Sequence, residues 1–121
     1  MYADFEKWLD SVLSGGLPDN SVGIGFNLYE DGGGMWSVQL IASDYFDEDD
    51  PDWMCSEVFT TGENMFTWNE QTDWENALEK GISLVREYLK KGKFSNMLKR
   101  YSAVGIGFVD GDIELVYQAN K

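Results

Sequence analysis

Between Trp74 and Leu89 apolar residues recur at steps of three and four: Trp74, Ala77, Leu78, Gly81, Ile82, Val85, Tyr88 and Leu89. That spacing predicts a helix over residues 72–91 with one apolar side, and places Glu75, Glu79, Lys80, Arg86 and Glu87 largely away from it. Thr72 and Glu75 stand at the spacing of a capping box. Lys90 and Lys91 suit the negative end of the helix dipole, and Gly92 is expected to end the helix in a left-handed conformation. Gly81 costs about 1 kcal/mol against Ala in mid-helix, so its expected use is to let a neighbouring strand come close. Phe5, Trp8, Leu9, Val12 and Leu13 predict a second helix over residues 2–13, closed by Gly15 and Gly16. Phe94, Met97, Leu98 and Tyr101 predict a short third one over residues 94–101.

The strand pattern is carried by a repeat. VGIGF occurs at residues 22–26 and again at 104–108, each time with Val, Ile and Phe on one face and two glycines on the other. The third glycine of a phosphate-binding G-x-G-x-x-G motif is missing from both copies, and no helix follows. Strand glycines then mark twist, a bulge or close approach. Each copy is expected to open a hairpin. In the second, Asp110-Gly111 as a two-residue type I′ turn would pair Phe108 with Ile113, Ile106 with Leu115 and Val104 with Tyr117. In the first, a looser turn over residues 31–34 would oppose Leu28 to Trp36, Phe26 to Val38 and Ile24 to Leu40. Further strands are expected over residues 54–60 and 64–68.

The expected fold is α+β: one domain over residues 1–121, an antiparallel sheet of four to six strands, and the long capped helix with the N-terminal helix on one of its faces. The expected core holds Trp8, Leu9, Ile24, Phe26, Val38, Leu40, Leu78, Val85, Ile106, Phe108, Ile113 and Leu115. Hydrophobic residues at 43% and aromatics at 15% are enough to build it without metal or disulfide.

Charge changes the picture. The chain carries 22 acidic and 9 basic residues for a net −13, and residues 1–79 hold 18 of the acids against a single base, Lys7. Such a surface repels phosphate backbones and anionic lipid, so a protein is the expected partner and nucleic acid and membrane are not. The alternative is that the acids serve solubility alone. No apolar run reaches the length of a membrane span and no export signal is visible; with Cys55 as the lone cysteine, a cytoplasmic location is expected.

Catalytic chemistry is poorly supplied. The chain has no histidine, which removes the commonest general base and transition-metal ligand. Cys55 has no Cys-x-x-Cys partner and is expected as a buried structural thiol in a strand, and no G-x-S-x-G elbow is present. Asp44, Asp47 and Asp49 beside Trp53 could form a carboxylate pair for hydrolysis, but a loop positions such a pair weakly. No EF-hand calcium pattern occurs. No enzyme activity, cofactor or metal is therefore expected.

Six of the nine residues from Asp44 to Asp52 are acidic, yet Tyr45, Phe46 and Trp53 lie in or beside them. Aromatics are the usual anchors of binding surfaces, and acids steer encounter with a basic protein. The expected binding set is therefore Asp47, Glu48, Asp49 and Asp50 for steering, with Tyr45, Phe46 and Trp53 for anchoring. Glu30 and Asp31 form a second candidate patch.

The acidic aromatic loop, the Trp-bearing capped helix and the GIGFVDGDIELVY stretch of residues 105–117 together resemble bacterial immunity proteins of the polymorphic-toxin and contact-dependent-inhibition systems. The resemblance implies an inhibitor that binds and covers a toxin domain made by its own cell, commonly a nuclease and often basic. An acidic adaptor or regulatory subunit is the alternative, and a carboxylate hydrolase the third possibility.

Overall fold

The computed structural model describes residues 1–119. Its centre is a six-stranded mixed sheet ordered β3-β2-β1-β5-β6, with β4 also paired to β2. The strands are β1 (Gly23–Gly32), β2 (Met35–Ser43), β3 (Glu57–Thr60), β4 (Phe66–Asn69), β5 (Ala103–Phe108) and β6 (Glu114–Gln118); the helices are α1 (Tyr2–Ser14), α2 (Trp74–Lys91) and α3 (Ser95–Leu98). The sheet is not purely antiparallel, because the two VGIGF segments lie side by side and parallel. Ile24 faces Val104, Gly25 faces Gly105 and Phe26 faces Ile106, so the copies are offset by two residues and their apolar and glycine faces coincide.

α1 and α2 cover one face, and the main core forms between them and the sheet. Leu9, Phe26, Val38, Leu40 and Val85 are buried there, and Ile24 and Ile106 are 0% exposed; Trp8, Leu78 and Phe108 pack on this core while half-buried. Gly81 serves the close approach expected of it: a Cβ there would lie 3.0 Å from Ile106 Cδ1. α2 is tied to α1 by Tyr88, whose hydroxyl donates to Asp10 Oδ1 at 2.6 Å and accepts from Phe94 N at 3.2 Å. Burial first, then the hydrogen bond to Asp10, raise the Tyr88 phenol above its ordinary value.

Both ends of α2 differ from expectation. The N-cap is Asp73, whose carboxylate accepts from Asn76 N at 2.9 Å, and Thr72 lies outside the helix. At the other end Gly92 is extended, with φ −69°, and not left-handed. Its glycine is required by crowding instead, since a Cβ would fall 2.5 Å from the Tyr88 ring.

The hairpin registers differ as well. β1 and β2 pair Phe26 with Leu40 and Leu28 with Val38, two residues from the expected alignment. A slip of two keeps every side chain on its face, so the core is unaffected. In β5–β6 the pairing Val104–Tyr117 is as expected, but a bulge then leaves Val116 without a partner, and Gly105 faces Leu115. One extra residue reverses the alternation. Ile113 and Leu115 therefore leave the main core and pack on the sheet's other face with Ile41, Trp53 and Met54.

That second face is where the glycines of the repeat look. A Cβ at Gly23 would come 2.5 Å from Trp53 Cζ3, and one at Gly105 would come 2.9 Å from Cζ2. The absent side chains leave a bed for one indole. Residues 54–56, expected to begin a strand, instead belong to or follow a single 3₁₀ turn over Trp53–Cys55 that lowers Trp53 into this bed, and Cys55 is exposed at its end.

Candidate functional site

The acidic loop joins β2 to the 3₁₀ turn and is ordered by its own polar groups. Asp47 Oδ1 accepts from Asp49 N and Asp50 Oδ1 from Asp52 N, each at 2.9 Å; the Ser43 hydroxyl donates to the Tyr45 carbonyl at 2.8 Å, and Asp44 N donates to the Ser56 carbonyl at 3.1 Å. Short polar side chains that bond backbone two residues on favour such turns over strand. Asp44, Asp47, Glu48, Asp49 and Asp52 are exposed and Asp50 is half-buried. Gln118 Nε2 donates to Glu48 Oε2 at 3.3 Å. The one ion pair among the described residues is Lys91–Glu87, far along the chain, so the loop's carboxylates have no basic neighbour in salt-bridge contact among the described residues.

The three aromatics of the loop separate into different roles. Trp53, expected as an anchor, is 3% exposed and supports the fold. Phe46 is half-buried and meets Trp53 edge-on at 5.1 Å and 84°. Tyr45 alone presents a free ring, 39% exposed. Partial desolvation, then the nearby Asp50 and Asp47 carboxylates, raise its phenol above the ordinary value. Of the second candidate patch, Glu30 is exposed, while Asp31 accepts a hydrogen bond from the Ser37 hydroxyl.

A hollow lies elsewhere, between the start of α2, the end of β1 and the β5–β6 turn. It is an open groove of about 500 Å³ lined by Leu28, Tyr29, Glu30, Trp74, Phe108, Val109, Asp110 and Gly111. Trp74 was expected on the buried stripe of α2 but is 55% exposed, because it sits at the first helical position, beyond the point where the sheet covers that stripe. Its ring meets Phe108 edge-on at 6.3 Å, and Phe108 in turn meets the buried Trp36 at 6.1 Å. An aromatic series thus runs from the core to the surface.

Val109, 56% exposed, is presented by a turn unlike the one expected. Gly111 N donates to the Phe108 carbonyl at 2.9 Å, so Val109 and Asp110 occupy the corners, and Gly111 lacks the positive φ that a type I′ turn over Asp110-Gly111 requires. The same turn borders a smaller hollow of about 210 Å³, whose opposite wall includes Pro51, Asp52, Cys55 and Glu57. The β5–β6 turn therefore stands as a ridge between the Trp74 groove and the acidic loop. Nothing in the helical period of residues 74–89 marks Trp74 as exposed; the only hint in the sequence is its place directly after the cap.

Among the described residues, no helix is long and apolar enough to cross a membrane, and no three His, Cys, Asp or Glu side chains are grouped so as to hold a metal ion. Comparison with protein-family models, curated proteins and solved structures gives no match.

Proposed function

We propose that the chain is a non-catalytic acidic binding protein, and within that class an immunity protein that neutralises a cognate basic toxin domain such as a nuclease. The observation that carries the reading is the outward array of carboxylates on the loop of residues 44–52, held in place by its own backbone and without a salt-bridge partner among the described residues, with an open groove across the β5–β6 turn. Exposed acids of this kind raise the encounter rate with a basic surface, and a nearby apolar hollow supplies the desolvated contact in which affinity resides. The absence of histidine and the isolation of Cys55 support the non-catalytic part.

The test begins with the reading frame beside this gene and the protein it encodes. Association of that protein with the chain is expected to slow as salt rises, and to slow at low salt when Asp47, Glu48, Asp49 and Asp50 are changed together to Asn and Gln. Asn keeps the side-chain oxygen that Asp47 and Asp50 offer to backbone N–H groups, so the loop retains its shape. Association equally fast in the neutralised variant would remove the loop from the mechanism, and a neighbouring protein with no affinity for the chain would overturn the class.

A further inference from the structure

From the groove at the start of α2 we infer that it is the seat for an arginine side chain of the partner, whose aliphatic stem lies along Trp74 and Phe108 and whose guanidinium reaches Glu30 and Asp110. The inference deepens the binding-protein reading and rests on it. Its first support is composition: the groove has an aromatic and aliphatic floor, two carboxylates and no basic side chain. Its second is exposure, since Trp74 and Val109 are two of only four large hydrophobic residues that stand exposed among the described residues, and both line this one groove. An apolar partner side chain alone would leave the carboxylates at the rim unanswered, whereas arginine offers both a stem that buries against apolar surface and a planar cation that stacks on indole.

The local field favours the same occupant. The N-terminus of α2 contributes about half a positive charge, but Asp73 caps it and Glu75 follows in the first turn, so Glu30 and Asp110 are left as charges of the groove without a salt-bridge partner among the described residues. Lysine shares the charge but lacks the flat face that matches Trp74.

The probe is a capped Leu-Arg-Leu tripeptide titrated into the full chain and followed by two-dimensional amide NMR, with capped Leu-Gln-Leu as the neutral control. The expected result is a saturable shift of the Trp74 indole N–H and the Val109 amide with the arginine peptide, and binding at least fivefold weaker with the glutamine peptide. Changing Glu30→Gln and Asp110→Asn together is expected to weaken the arginine peptide by about fivefold or more, the scale of an exposed charge contact. Trp74→Ala should abolish the Val109 shift while leaving the thermal melt close to that of the parent chain. Equal binding of the two peptides, shifts confined to the loop of residues 44–52, or no shift at Trp74 would each overturn the proposal. The two readings separate cleanly: a groove that binds the arginine peptide in a chain with no basic partner sinks the proposed function alone, and loop-dependent toxin binding that survives Trp74→Ala sinks the arginine seat alone.

Discussion

The indole of Trp53 lies so close over Gly23 that a Cβ at residue 23 would fall 2.5 Å from its Cζ3. The loop aromatic and the strand glycine are thus two halves of one packing solution. Gly23→Ala is expected to destabilise the fold by about 1–3 kcal/mol through overpacking, and Trp53→Ala by about 3–5 kcal/mol through the cavity it leaves. Urea denaturation of both variants measures this. A Gly23→Ala chain as stable as its parent would mean that the indole moves aside without cost, and the bed would then have no structural weight.

The cap of α2 gives a second comparison. Asp73→Ala should cost about 1 kcal/mol, because it leaves Asn76 N without its acceptor, whereas Thr72→Ala should cost at most a few tenths. Equal losses in thermal melts of the two variants would return the cap to Thr72.

Alkaline pH should act through Tyr88. Its folded pKa lies above the ordinary tyrosine value of 10.0, so between those two values the folded chain holds a proton that the unfolded chain has lost. The contribution is complete below about pH 10 and falls by at most about 1.4 kcal/mol per pH unit as the pH rises toward the folded value. Tyr88→Phe should lower stability at neutral pH, by loss of the bond to Asp10, and flatten the alkaline limb. Parallel stability curves for the two proteins above pH 10 would show that Tyr88 is not the group responsible.

Cys55 should react with a thiol reagent in the native state. The sequence suggested a buried strand thiol, but the side chain stands exposed after the 3₁₀ turn. Stoichiometric labelling without denaturant checks this; labelling that requires unfolding would contradict it.

The periodic signals of the sequence were sufficient for the parts of the fold that local pattern determines. Ile24, Phe26 and Ile106 alternate cleanly with glycine, and the stripe of α2 from Ala77 to Leu89 has one face to bury, so their burial was legible. Ile113 and Leu115 were not, because a bulge at Val116 reverses their face and a bulge has no strong letter of its own. Trp53 looked like an anchor because its neighbours are acidic. Only the distant glycines of β1 and β5 explain its burial, and their pairing spans most of the chain. Trp74 failed in the opposite direction: periodicity places a residue on a helix face, but how far the sheet extends beneath that face is a tertiary fact.

The parallel pairing of the VGIGF copies also orders events in time. β1 occupies the middle of the sheet, yet its partner β5 begins only at Ala103, so the seam between Gly23–Leu28 and Ala103–Phe108 cannot close until residues 103–108 have been made. During synthesis β1 can pair with β2 soon after both emerge, while its other edge waits with unpaired N–H and C=O groups, the kind of edge that recruits foreign strands. Chain termination before residue 103 would leave that edge open permanently and would also remove Gly105 from beneath Trp53. A nascent chain of this protein therefore keeps an adhesive edge until residues 103–118 have emerged, and the β5–β6 hairpin is the one that seals it.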